Sequence, residues 1–252
     1  MTTSNALSIG VMGLATLAGC FRPEPPSPAE LDRGLVVMLP GVEGGAWQLE
    51  GPIRGLRTAG LNRAIEVIEW GRRPLASLDN LTNLPANLQR AQRIAGRIGE
   101  YQQQYPGRPV TLLGYSGGGG VAVLAAEALP AEPQLDRVVL IAAAISPDHD
   151  LSETFRRSRR GVVSFYSERD VVMLGLGTCL FGTIDRQYTS SAGRIGFRDD
   201  SGGLLTIDGP EQIAWRPDWW RLGHDGTHVG WLSAEWSREV LAGYIDPRLT
   251  KR

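Results

Sequence analysis

The sequence has no large excess of charge of either sign, because its 252 residues include 26 basic and 27 acidic side chains and carry a formal net charge of −1. A protein that holds a polyanion needs a positive electrostatic field, so this balance excludes nucleic acid as an expected partner. Cysteine is scarce, and Cys20 and Cys179 lack the spacing of a zinc site or a disulfide scaffold. Gly-x-Gly-x-x-Gly and Walker patterns are absent. We therefore expect no metal and no cofactor.

The N-terminal end contains a short apolar run. Residues 6–19 form an uncharged stretch of 14 residues, which fits a signal-peptide core and is too short to span a bilayer. It ends in Leu17-Ala18-Gly19-Cys20, which resembles the lipobox of bacterial lipoproteins. The resemblance implies cleavage before Cys20, lipidation of that residue and a membrane anchor in the cell envelope. Residues 1–5 depart from the pattern because they contain no Lys or Arg, and an N-terminal extension without a targeting role is the alternative.

Residues 22–30 contain four prolines in nine positions, a composition that favours an extended, semi-rigid spacer. We therefore divide the chain into a signal peptide over 1–19, a lipidated Cys20 with a Pro-rich tether over 20–33, and one globular domain over 34–252. After cleavage, Cys179 is an unpaired thiol, which we interpret as a small buried hydrophobic residue.

The globular part alternates predicted strands and helices. Short runs rich in β-formers predict strands over 34–39, 65–70, 110–114, 137–145 and 162–167. The run at 65–70 alternates apolar and polar residues, which places it nearer an edge of the sheet. Apolar residues at helical spacing predict helices over 84–105, 117–129 and 232–245. Strands separated by helices imply right-handed crossovers, so we predict an α/β fold with a mostly parallel central sheet flanked by helices on both faces. A hairpin insertion is predicted over 193–208.

The motif that carries chemistry is Gly114-Tyr115-Ser116-Gly117-Gly118, which fits G-x-S-x-G. A motif this short has a high false-positive risk, and its context decides its meaning. It lies between a predicted strand and a predicted helix, where a nucleophile elbow forms. Ser116 would then take a strained backbone conformation, while side chains at Gly114 or Gly118 would collide across the turn. The Gly117 N–H at the start of the helix would face a developing oxyanion.

With this motif in this setting, the chain resembles the α/β-hydrolase family from about residue 35 to residue 244. In that family the catalytic residues follow the order Ser, acid, His along the chain. The resemblance implies an acid in the loop after a late strand, which selects Asp170, with Glu168 as its nearest rival. Asp148 and Asp150 follow an earlier strand, where some members place the acid, and they stay open as alternatives.

The chain has only three histidines, and a general base must be one of them if the triad is real. The resemblance favours the loop before the last helix, which selects His228 and leaves His224 as the second candidate. His149 comes too early in the chain order. The resemblance also places a second oxyanion donor in the Gly-rich loop 40–45 and selects the N–H of Val42, although Pro40 stands where the family often has His.

These residues imply a serine hydrolase that cleaves a carboxylic ester or related acyl bond of a small molecule through a Ser-His-Asp triad and an acyl-enzyme. A peptidase, a thioesterase or an acyltransferase would use the same site, and a non-catalytic envelope binding protein of the same fold is a further alternative. Five of the seven tryptophans lie within residues 215–236 and could form an apolar acyl-binding wall or pack under the last helix. Residues 146–161 leave room for one helix only, which argues against a large helical lid there.

Overall fold

The computed structural model describes residues 21–71, 76–132, 134–206 and 209–250. The predicted signal peptide and the predicted lipidation site Cys20 lie outside the described residues. In the described part, no helix combines the length and apolarity needed to cross a bilayer.

One sheet organises the described chain. Its strands are β1 (Leu35–Leu39), β2 (Ala64–Val67), β3 (Val110–Tyr115), β4 (Arg137–Ile141), β5 (Val162–Tyr166) and β6 (Glu211–Ala214). They lie in the order β2-β1-β3-β4-β5-β6, and every neighbouring pair is parallel. The predicted α/β architecture is confirmed, including the edge position of the second strand.

The helices of the described residues differ greatly in length. The α-helices are α1 (Pro28–Leu31), α2 (Glu50–Thr58), α3 (Ser77–Thr82), α4 (Leu84–Gln104), α5 (Gly117–Glu127), α6 (Ser152–Arg156), α7 (Thr178–Phe181), α8 (Ala192–Ile195), α9 (Ala234–Trp236) and α10 (Ala242–Ile245). Short segments of 3₁₀-helix cover Ala46–Leu49, Pro217–Leu222, Val229–Leu232 and Pro247–Leu249. Two π-helical segments, Val172–Gly177 and Ser237–Leu241, run directly into α7 and α10.

The central strands β1, β3, β4 and β5 are buried on both faces because they are apolar at successive positions. Leu35, Val37 and Leu39 of β1 pack into one core with α4 and α5. Val36 and Met38 point to the opposite face and pack into a second core with α2 and the C-terminal helices. This two-sided burial is the reason that the strand runs are continuous rather than alternating.

Several predicted boundaries change. The strand predicted over 137–145 ends at Ile141, because Ala142 has a φ of 49° and leaves the extended conformation. The hairpin predicted over 193–208 is reduced to one antiparallel bridge between Arg198 and Leu204, preceded by α8. The next segment supplies β6, an edge strand that the sequence pattern did not indicate.

The N-terminal segment does not stay extended through residue 30. Ser27 caps α1 through a reciprocal pair of hydrogen bonds with Glu30, the capping-box arrangement. Tyr101 then donates a hydrogen bond from its hydroxyl to the Leu31 carbonyl at 2.6 Å, and Arg57 pairs with Glu30 at 2.7 Å. The chain is thus attached to the domain before β1 begins.

His149, the early histidine, connects three segments of the fold outside the candidate site. Its Nε2 lies 2.9 Å from Glu127 at the end of α5, and its Nδ1 lies 3.1 Å from Asp185. Burial by itself lowers the pKa of His149, but the hydrogen bonds to the two carboxylates and their negative charges together outweigh burial and raise the pKa to about 9. The imidazolium is therefore a structural cation at neutral pH.

This raised pKa predicts an alkaline loss of stability. The folded state holds the His149 proton more tightly than the unfolded state, so the contribution is full below the ordinary pKa of 6.5 and is lost as pH rises through about 9. In urea unfolding, the free energy of unfolding should fall over this range, and the fall should be smaller in His149→Gln, which keeps hydrogen bonding without a titrating ring. An equally steep fall in His149→Gln would assign the pH dependence to other groups.

Candidate active site

The candidate site lies where the carboxyl ends of the parallel strands meet. Ser116 occupies the turn from β3 into α5, and the loop 40–45 follows β1 on the neighbouring strand. Asp170 follows β5, and His228 lies between β6 and the C-terminal helices. Four segments that are distant in sequence therefore deliver their side chains to one edge of the sheet, the usual place for a ligand in an open α/β sheet.

The turn at Ser116 has the strained backbone that its glycines imply. Ser116 has φ 56° and ψ −124°, a conformation that L-residues rarely adopt. A Cβ at Gly114 would lie 2.2 Å from the Gly118 carbonyl oxygen. A Cβ at Gly118 would lie 2.4 Å and 2.3 Å from the carbonyl oxygens of Leu39 and Pro40. The first glycine lets the turn close, and the second lets α5 approach the end of β1.

Three side chains form a hydrogen-bonded line. His228 Nε2 lies 2.9 Å from Ser116 Oγ, and His228 Nδ1 lies 2.5 Å from Asp170 Oδ2. Since a carboxylate can only accept, the ring donates from Nδ1 to Asp170, and Nε2 is left to accept the serine proton. The three residues are the serine of the G-x-S-x-G motif and the acid and base that the family resemblance selected.

The surroundings hold the histidine in place. Tyr115, one residue before the serine, donates from its hydroxyl to the His228 carbonyl at 3.0 Å. Burial raises the pKa of Tyr115 far above its usual range, so its hydroxyl remains a donor. Ser167, at the end of β5, donates to the Gly226 carbonyl at 2.6 Å. Sequence reasoning missed both anchors, because a tyrosine in a motif's variable position and a serine at a strand end carry no specific signal.

The rival acids and bases lie elsewhere. His224 is buried among tryptophans, where its Nδ1 accepts from the Gly226 N–H at 3.2 Å and burial lowers its pKa to about 4. Glu168 is exposed. Asp150 accepts a hydrogen bond from the Ser152 N–H. Asp148 and Asp150 line a pocket with His149, and Ser116 does not line that pocket.

The two candidate oxyanion donors lie close together beside the serine turn. An atom added as Cβ to Gly117 would lie 3.3 Å from the Val42 nitrogen, and one added to Gly41 would lie 3.4 Å from Ser116 Cβ. Neither the Val42 N–H nor the Gly117 N–H donates a hydrogen bond to a protein group within the described residues. Two unused amides beside a serine hydroxyl are the arrangement that stabilises a tetrahedral oxyanion.

Large apolar side chains are exposed around the site rather than buried in it. We call them the apolar rim: Trp47, Leu78, Val171, Val172, Met173, Leu176, Leu180, Phe181 and Val229. Val171 directly follows Asp170, and Val229 directly follows His228. Segment 172–181 reaches α3, whose Asn80 contacts the loop 40–45, so the rim borders both sides of the site. An uncharged run after Asp170 was the available sequence signal for this surface.

The structure decides between the alternatives for three of the tryptophans and corrects the interpretation of Cys179. Trp219, Trp231 and Trp236 are buried in the second core and pack on each other, so packing, the second of the two alternatives given for the tryptophans, holds for these three. Cys179 is exposed in α7, not buried. Between β4 and β5 the structure has only the short helix α6, as the segment length implied.

Comparison with known proteins agrees with this architecture. No protein-family model matches the chain, and no curated protein sequence matches it significantly. Among solved structures, lipase B of Aspergillus fumigatus matches with a TM-score of 0.54 at 13% identity, covering 88% of this chain and 55% of the lipase. A Trichoderma reesei cutinase in complex with a phosphonate inhibitor gives 0.41 at 18% identity, with 87% and 77% covered. A cutinase-like protein from Cryptococcus sp. gives 0.43 at 16%, with 89% and 98% covered.

The chain spans little more than half of the length of the lipase that it matches. At such low identity the likeness bears on the fold alone. Together with the six-stranded parallel sheet, it shows that this protein has the α/β-hydrolase fold.

Proposed function

We propose that this protein is a serine hydrolase that cleaves a carboxylic ester or a related acyl bond. The observation that carries the proposal is the hydrogen-bonded line from Ser116 through His228 to Asp170, in which Ser116 has a strained backbone conformation. A non-catalytic binding protein has no need for a serine held in a costly conformation against a histidine. Backbone strain and a buried carboxylate partner together favour catalysis.

The proposed reaction has two halves. Ser116 Oγ attacks the carbonyl carbon while His228 Nε2 accepts the hydroxyl proton, and the carbonyl oxygen becomes an oxyanion held by the Val42 and Gly117 amides. The imidazolium then returns the proton to the leaving alcohol as the acyl-enzyme forms. Water attacks the acyl-enzyme by the same route and releases the acid. Asp170 holds the ring in the required tautomer and stabilises its positive form.

The apolar rim favours an apolar acyl group as the substrate. When a hydrocarbon chain covers exposed apolar surface beside the site, binding is stabilised by about 25 cal/mol for each Å² removed from water. Thioesters, amides and transfer to another acceptor remain within reach of the same atoms, since the leaving group and the final nucleophile lie outside the triad.

Labelling with an alkyl fluorophosphonate tests this proposal. A long-chain probe should phosphonylate the protein, and mass spectrometry should locate the adduct on Ser116. Ser116→Ala should carry no adduct. A short-chain probe should react more slowly, and Leu180→Ser should slow the long-chain probe severalfold while leaving the short-chain rate unchanged. Absence of any adduct on the folded wild type would favour the binding-protein alternative.

We also propose that the protein is a lipoprotein anchored to an envelope membrane through Cys20. The support is the Leu17-Ala18-Gly19-Cys20 motif after an apolar run and before a Pro-rich segment. A cell that expresses the full chain with a fatty-acid analogue should incorporate the label, and Cys20→Ala should not. Equal incorporation in the two forms would exclude lipidation at Cys20.

A further inference from the structure

The Val42 amide lies in a loop outside the helices and strands, yet the direction of its N–H is defined by three contacts. The peptide unit that carries this N–H also carries the Gly41 carbonyl, which accepts from the Gly44 N–H at 2.8 Å. In a trans peptide the N–H and C=O point in opposite directions, so the Val42 N–H points away from Gly44.

The peptide units on either side are fixed by buried side chains. Trp70 Nε1 donates to the Pro40 carbonyl at 2.7 Å, and Asn80 Nδ2 donates to the Val42 carbonyl at 2.7 Å. Trp70 is only 5% exposed and Asn80 is fully buried. The two donors therefore hold the peptide groups before and after the one that presents the N–H.

These donors are in turn connected through α4. Asn87 Nδ2 donates to the Asn80 carbonyl at 2.8 Å, and Arg90 Nη1 donates to Asn87 Oδ1 at 2.6 Å. The buried Arg90 guanidinium lies 5.7 Å from the centre of the Trp70 ring, where a cation–π contact forms. The contacts close a ring that runs from Pro40 through Trp70, Arg90, Asn87 and Asn80 to Val42. We call Trp70, Asn80, Asn87 and Arg90 the loop clamp.

We infer that the loop clamp is a positioning device that keeps the Val42 N–H aimed at the oxyanion. The inference rests on the proposed function, because it assigns a purpose to the clamp within that site. An oxyanion donor acts only within a narrow range of distance and direction, and its benefit is larger in the transition state than in the bound substrate. A loosened loop therefore reduces kcat and leaves KM nearly unchanged.

The test compares Asn80→Ala and Trp70→Phe with a matched control, Asn83→Ala. Asn83 accepts from the Ala86 N–H and caps α4, so its loss weakens the same region without a contact to the loop. We expect kcat for a short ester to fall about ten- to a hundredfold in the two clamp variants, with KM within threefold of wild type. Asn83→Ala should keep the wild-type kcat, even where its melting temperature is lower.

A second measurement does not depend on turnover. Hydrogen exchange at the Gly44 amide reports whether the loop remains folded onto itself, and it should accelerate in Asn80→Ala but not in Asn83→Ala. Unchanged kcat and unchanged Gly44 exchange in the clamp variants would overturn the inference. A kcat loss that is equal in Asn83→Ala would do the same, because it would reflect general destabilisation. A wild type that hydrolyses no ester, thioester or amide but shows the expected exchange pattern would refute the proposed function and with it the oxyanion role, while the clamp's hold on the loop would stand.

Discussion

Ser116→Ala is expected to lower kcat/KM for ester hydrolysis by about 10⁶-fold, close to the loss that follows removal of a whole triad. The reason is that Ser116 Oγ is the only atom in the proposed site that forms a bond with the substrate, and no neighbouring nucleophile replaces it. The two oxyanion amides belong to the backbone and stay in place, so a residual acceleration of about 10³ over water should persist. Initial rates with a chromogenic ester, over a range of concentrations, measure this loss.

The control is Ser146→Ala, a second buried serine, which follows β4 and accepts from the Asp148 N–H at 3.2 Å. It should lose a little stability and no activity. Circular dichroism and melting temperature should show that both variants are folded. If Ser116→Ala kept more than about one hundredth of the wild-type rate, the nucleophile would have to be another group.

The parts of this site that the sequence could predict are those determined by local geometry. A G-x-S-x-G motif between an apolar run and a helical pattern predicts a tight strand-to-helix turn, because its two glycines remove the side chains that would collide across the turn. The structure accordingly has the strained serine and the tight contacts at Gly114 and Gly118. The order of the three side chains along the chain came from the family resemblance, and the structure brings Ser116, Asp170 and His228 into contact.

The parts that could not be predicted depend on contacts between distant segments. In α4 the apolar Leu88 is exposed, whereas the polar Asn87 and Arg90 take buried positions. Polar residues on a helix usually face solvent, and these two are inside because they bond Asn80, bond each other and pack on Trp70. The apolar rim could not be predicted for the same reason, since the uncharged run after Asp170 fits a buried segment as well as an exposed one, and only contacts with other segments decide between the two.

The second large effect is expected on replacing His228 with asparagine. The same replacement at His224 provides a matched control. His228→Asn should lower kcat by about 10⁵- to 10⁶-fold, because it removes the base at Nε2. Asparagine places an amide N–H near the position of Nδ1, so the buried Asp170 carboxylate keeps a donor and the loss reports the missing base. His224→Asn should keep kcat per folded molecule, because the His224 ring only packs against Trp231 and accepts a hydrogen bond from the Gly226 N–H. An asparagine side-chain oxygen can accept that hydrogen bond in place of the ring nitrogen.

Combining the substitutions tests whether the residues act as one unit. Ser116→Ala and His228→Asn together should be no slower than either alone, because a base has no task without the hydroxyl that it deprotonates. Ser116→Ala combined with His224→Asn should likewise match Ser116→Ala alone in rate, while its melting temperature should equal that of His224→Asn. A double variant at Ser116 and His228 whose losses multiplied would mean that the serine and the histidine serve separate steps. A large loss of kcat in folded His224→Asn would mean that His224, and not His228, is the base.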